Sequence, residues 1–131
     1  MVTVIIPAAG QGNRMRCSNN KIFLPLVDIP MFVHSVLTFS SCSEVDNMIV
    51  VVALEEAEQV ECILRGFPSL KNWQVVVGGS ERQYSIANAI KVVSEKTDVI
   101  LVHDGARPLL QEECIKDIIQ AVRQYKAAVV A

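Results

Sequence analysis

Four short runs rich in Val and Ile punctuate this sequence: Val2–Ile6, Asn47–Ala53, Trp73–Val77 and Asp98–His103. The first two lack polar alternation, as strands buried on both faces of a parallel sheet do. Helical periodicity fills the intervals. Pro30 stands at a first helical position, and Met31, Phe32, Val33, Val36 and Leu37 form a broad apolar face that runs out near Ser40. Glu55 to Arg65 reads as a second helix with acidic residues in its first turn, stopped by Gly66-Phe67-Pro68. A third, about Glu81 to Glu95, spaces Ile86, Ala89, Ile90 and Val93 at i, i+3, i+4 and i+7, which predicts a core-facing stripe. Ile115, Ile118, Ile119 and Val122 mark a fourth, and a fifth strand is expected from near Ala127. Strands and helices alternating through short loops imply an α/β fold, a mostly parallel sheet covered on both faces.

The 131 residues are of single-domain length and 51% hydrophobic, enough for a core and too much for general disorder. A net charge of −2 argues against a broad nucleic-acid or membrane surface, so any cationic site must be focal. Cys17, Cys42, Cys62 and Cys114 are scattered, with no C-x-x-C and no paired His. They read as reduced thiols in a cytosolic protein rather than as a zinc site or a disulfide framework. No segment reaches the roughly 18 unbroken apolar residues of a membrane span, and Val2–Ile6 is too short for a signal-peptide core, so a soluble, cytoplasmic protein is expected. The sequence closes on Lys126-Ala-Ala-Val-Val-Ala131, an apolar run without a polar cap where a strand should go on. This reads as a domain, residues 1–131, incomplete at its C-terminus.

In open α/β sheets, ligands sit outside the carboxyl ends of the strands, and three unusual loops fall there. After the first strand come Pro7-Ala-Ala-Gly-Gln-Gly-Asn-Arg-Met15 and Lys21; after the third, Gly78-Gly-Ser-Glu-Arg-Gln-Tyr-Ser85; after the fourth, Asp104-Gly-Ala-Arg-Pro108. Pro7 has no N–H and is expected to stop the ladder. Ala8, Ala9, Gly10 and Gly12 leave backbone N–H groups open to an anion, and Arg14 adds a fixed cationic fork. The first loop lacks the Gly-Lys-Ser/Thr ending of a P-loop, and Met15 occupies the third glycine position of a dinucleotide fingerprint. Each loop has a plainer alternative: a ligand-free turn, a solvated Arg14 or Lys21, a capping Asp104, or a Ser85 hydroxyl bonded to its own backbone. Together they bring glycine-rich donors, two or three cations and a carboxylate, the equipment for a nucleoside triphosphate and its magnesium ion.

These three motifs closely resemble those of the methylerythritol-phosphate cytidylyltransferases of non-mevalonate isoprenoid synthesis, over Val2 to Ala131; the second and third are the more diagnostic. The resemblance implies a three-layer, Rossmann-like nucleotidyltransferase fold, CTP and a polyol phosphate as substrates, and Mg²⁺ as cofactor. By the same resemblance Ala8, Ala9, Gly10 and Gly12 wrap the triphosphate, and Arg14 and Lys21 are the catalytic cations. Gly79, Ser80 and Ser85 contact cytosine and ribose, and Pro7 and Ala106 complete the CTP-binding set. Asp104 would hold Mg²⁺ and Arg107 would face the acceptor's phosphate. An independent physical case exists for the cations, because attack on the α-phosphorus builds charge on the equatorial oxygens and the departing pyrophosphate. The acceptor phosphate is already anionic and needs no base, so His103 reads as a strand-end residue and His34 as structural.

This sequence departs from the pattern of the family it resembles at Asn20-Lys21-Ile22, where that family generally carries Pro-Lys-Gln. Family members also continue past Ala131 with a projecting arm that makes a homodimer and with further acceptor-binding residues, so residues 1–131 alone are expected to be inactive. Two other readings remain open: a ribitol-phosphate cytidylyltransferase, and a nucleotide-binding or interaction module without turnover.

Overall fold

The computed structural model describes residues 1–8, 25, 26, 28–79, 81–105 and 111–125. In chain order these form β1 (Val2–Pro7), β2 (Pro25–Leu26), β3 (Ile29–Pro30), α1 (Met31–Ser41), β4 (Asn47–Val52), a 3-10 turn (Leu54–Glu56), α2 (Ala57–Arg65), β5 (Trp73–Val77), α3 (Arg82–Ile90), β6 (Val99–Val102) and α4 (Glu112–Tyr125). The four longer strands are parallel in the order β5-β4-β1-β6. The chain thus steps outward from β1 through β4 to β5, then returns to the other side of β1. That reversal is the topological switch point at which doubly wound sheets open a crevice between adjacent strand ends. The β2–β3 hairpin was not expected; Asp28 turns it with φ of 64°, a left-handed conformation that Asp tolerates better than most residues. The region near Ala127 lies outside the described residues.

Burial explains why the β-branched runs carry no polar alternation. Val2, Val4 and Ile6 of β1 and Val50 and Val52 of β4 join one core with Phe32, Val36 and Phe39 of α1, Val60 and Leu64 of α2, and Ile115 and Ile119 of α4. Their neighbours Ile5, Ile49 and Val51 face the other way and pack with Ala89 of α3. The molecule is therefore three-layered, with three helices on one face and α3 on the other. α3 lies over β1, β4 and β5, and the outward side chains of β6 on that face, Ile100 and Val102, remain 42% and 45% exposed.

Backbone entry into the sheet is fixed by Asp46, whose carboxylate accepts the Val2 N–H at 2.7 Å while its own N–H donates to the Val2 carbonyl at 2.9 Å. At the start of β6, Asp98 accepts a 2.7 Å hydrogen bond from the Met1 ammonium, which holds the carboxyl below its ordinary value.

Two expectations need correction. The third helix ends at Ile90, not Glu95, and Ile90 is 49% exposed instead of core. Beyond it, Val92 and Val93 donate to Ala89 and Ile90, the i to i−3 pattern of a tightening last turn. Adjacent β-branched valines propagate a helix poorly, and the chain must reverse here to reach β6. Pro7, in turn, does not end the ladder: it pairs with Val51, and its carbonyl accepts the N–H of Gly105 at 3.0 Å. Lacking a donor, it still serves as an acceptor.

Phe32 is fully buried and among the largest side chains at the heart of the main core. Phe32→Ala is expected to destabilise the fold by about 3–5 kcal/mol. Urea unfolding of the two proteins measures it, and a loss below about 1 kcal/mol would mean that the site collapses around the deletion.

Candidate nucleotide site at the carboxyl edge of the sheet

Ladder hydrogen bonds continue past the regular strands and tie the loop ends into one row. Gly78 N–H donates to the Val52 carbonyl at 2.8 Å, Ala8 N–H to Val51 at 2.7 Å, and Gly105 N–H to Pro7 at 3.0 Å. The tips of β5, β1 and β6 are thus joined through the end of β4, which the sequence did not mark because its contribution is two backbone carbonyls. The β1 and β6 tips touch directly at the switch point; the β5 tip stands two strands away from β1.

The same bonds change what two predicted residues can offer. Ala8 is buried and its N–H is committed to Val51, so that N–H is not available to an anion. Pro7 has no N–H, and its carbonyl faces Gly105. Donors to an anion must come from farther along the loop, and Ala9, Gly10, Gly12, Arg14 and Lys21 lie outside the described residues, as do Ser80, Ala106 and Arg107.

At the β5 tip the glycines are required by close packing. A Cβ on Gly78 would collide with Ser85 Oγ and meet Val51 Cγ1 at 3.0 Å, and one on Gly79 would collide with Tyr84 Cβ. Ser85, in the first turns of α3, is 1% exposed, and its hydroxyl is the buried side-chain polar atom without a hydrogen-bond partner among the described residues. It does not bond its own backbone, so the local capping alternative fails. An unpartnered buried hydroxyl is costly, which singles Ser85 out for a polar partner that the described residues do not supply.

At the β6 tip, alternation places Leu101 and His103 towards α1 and Val102 and Asp104 towards α3. The His103 ring confirms the first half, meeting Phe39 of α1 edge-on with centroids 5.4 Å apart. His103 is accordingly a packing residue, and its N–H completes the ladder to Ile5 at 2.9 Å. Asp104 itself follows the last regular residue of β6, directly before the buried Gly105. Among the described residues no group of three or more His, Cys, Asp or Glu could cage a metal. A single carboxylate at a strand tip nonetheless fits Mg²⁺, which commonly takes one or two protein carboxylates and fills its shell with water and phosphate oxygens. Among the described cysteines, Cys42, Cys62 and Cys114 are free thiols, and no described helix is long and apolar enough to cross a membrane.

A parallel sheet that steps outward from β1 to β5 and then returns to β6, with helices on both faces, defines the doubly wound α/β class, whose ligands sit beyond the carboxyl ends of the strands. The sequence model of the family described as "IspD: 2-C-methyl-D-erythritol 4-phosphate cytidylyltransferase" matches residues 2–131, and the chain belongs to that family. A protein of that name from Bacillus cereus is 40% identical over 131 residues, covering all of this chain and 58% of the relative. One from Caldanaerobacter subterraneus is 40% identical over 130 residues, 98% of this chain and 57% of the relative. The crystal structure of 4-diphosphocytidyl-2C-methyl-D-erythritol synthase from Anaerococcus prevotii superposes with a TM-score of 0.80 at 27% identity, covering 95% of this chain and 51% of the other. The chain thus spans less than two thirds of the length of these relatives.

Proposed function

We propose that this chain is the nucleotide-binding part of an enzyme that transfers CMP from CTP to methylerythritol phosphate and releases pyrophosphate. The observation that carries the reading is the buried Ser85 hydroxyl, packed against Gly78 and without a hydrogen-bond partner among the described residues. Family membership supports the chemistry, and because the matched relatives are named for methylerythritol phosphate, ribitol phosphate is not the favoured acceptor.

In this scheme Ser85 and the Gly79 backbone hold the nucleoside, where close approach selects a small pyrimidine over a purine. The loop from Ala9 through Gly12, with Ser80 and Ala106, completes the nucleotide pocket. Arg14 and Lys21 stabilise charge that develops on the α-phosphate and on pyrophosphate, and Arg107 holds the acceptor phosphate. Asp104 would hold Mg²⁺, which neutralises phosphate charge when bound. The acceptor phosphate attacks as an anion and the chain supplies no base. Homodimerisation and a cytoplasmic setting belong to the same proposal.

Titration of the protein with CTP, UTP and ATP, with and without Mg²⁺, tests the reading; ATP binding as tightly as CTP would sink it. Ser85→Ala offers a sharper check. Removing an unsatisfied buried hydroxyl should leave thermal stability unchanged or slightly raised, while CTP affinity falls about tenfold, the worth of roughly one good hydrogen bond. Lower stability with unchanged CTP affinity would assign Ser85 to the fold instead.

A further inference from the structure

We propose that Gly105 is a positioning residue for the metal-binding end of the site, its missing side chain setting how closely the Asp104 backbone lies against the end of β1 at Pro7 and Ala8. This rests on the cytidylyltransferase reading above and extends it to a residue with no side chain to offer either nucleotide or metal. β6 stays paired to β1 beyond its last regular residue, through His103 N–H to Ile5 at 2.9 Å and Gly105 N–H to Pro7 at 3.0 Å. Asp104 is held between these two bonds, and its Cα cannot shift without disturbing one of them.

Gly105 is buried, and a Cβ on it would meet Ala8 Cβ at 3.2 Å, with Ile6 Cγ2 and the Pro7 carbonyl oxygen both at 3.4 Å. None of these neighbours can easily give way. Ala8 is fixed by its 2.7 Å bond to Val51, Ile6 is fully buried, and the Pro7 oxygen is the acceptor of the Gly105 bond itself. One methyl group needs an adjustment of a few tenths of an ångström. Anything larger must lift the tip of β6 off β1, and Asp104 moves with it. Mg²⁺ registers such a movement strongly because it demands near-ideal octahedral geometry at about 2.0–2.1 Å. The nucleoside, placed by this reading at Ser85 and Gly79 of the β5 tip, does not.

The test measures CTP binding to the full-length protein by calorimetry over a range of Mg²⁺ concentrations, for wild type, Gly105→Ala, Gly105→Ser and Gly105→Val, with folding verified by circular dichroism. Metal-free CTP affinity is expected to stay within about twofold of wild type. The Mg²⁺ concentration for half-maximal enhancement should rise no more than about threefold for Ala and about tenfold or more for Val, the range typical of supporting residues around a metal. The serine variant, one atom larger than alanine, should lie between them. In Asp104→Asn the enhancement should vanish and no longer depend on residue 105. An unchanged midpoint in folded Gly105→Val, or in folded Gly105→Ser if the valine variant does not fold, overturns the proposal alone. Wild-type protein that binds no CTP overturns the cytidylyltransferase reading and this proposal with it.

Discussion

Arg14→Ala and Lys21→Ala, each made in the full-length enzyme, are expected to lower kcat by about 10²-fold or more while CTP affinity changes only a few-fold. The asymmetry follows from when the charge appears. In the proposed reaction ground-state CTP already carries its phosphate charges, and backbone donors and Mg²⁺ would balance most of them. In the transition state new charge accumulates on the equatorial oxygens of the α-phosphate and on the bridging oxygen to pyrophosphate. A cation fixed beside those atoms binds the transition state more tightly than the substrate, which is the condition for raising kcat. In sequence both residues follow β1, one of the two strands at the switch point. Steady-state kinetics with varied CTP separate the possibilities. An unchanged kcat with a raised KM would show uniform binding and remove both residues from the catalytic set.

Asp104→Asn should be nearly as severe, with turnover falling by about 10²-fold at physiological Mg²⁺. The substitution keeps the shape of the side chain and removes its charge, so the two ladder bonds that flank it, to Ile5 and Pro7, should survive. Loss of function with native thermal stability is therefore the expected pair of results. Raising Mg²⁺ distinguishes two roles. If millimolar excess restores full turnover, the carboxylate only gathers the ion; if kcat stays low, the carboxylate also fixes the ion's position against the phosphates. Wild-type turnover for Asp104→Asn at every Mg²⁺ concentration would leave Asp104 as a strand-end residue without a role in the chemistry.

Much of this molecule is readable from local sequence. Val2–Ile6 and Asn47–Val52 announce buried parallel strands because β-branched residues without polar alternation suit no other solvent-free environment as well. The α1 and α4 periodicities give their buried faces correctly, and the glycine motifs fall, as the strand-and-helix alternation implies, beyond the carboxyl ends of the parallel strands. The errors fall where a local pattern competes with the path of the chain. Val93 continues the spacing of α3, yet the chain must turn there to enter β6, and the helix stops at Ile90.

What the sequence by itself determined, then, is the inventory: four strands, their helices, and three loops bearing glycines, cations and a carboxylate. Tertiary structure alone decided how those parts address one another. Nothing in Pro7-Ala8 indicates that the alanine N–H is taken by Val51 and the proline carbonyl by Gly105, because both partners are more than 40 residues away. Nor does Gly78 disclose that the Ser85 hydroxyl lies buried against it without a partner among the described residues. The physical reason is common to these cases. Strand identity follows from each residue's own side chain, whereas strand order, register and the fate of each backbone donor are set by pairings between distant segments, which exist only once the sheet has closed.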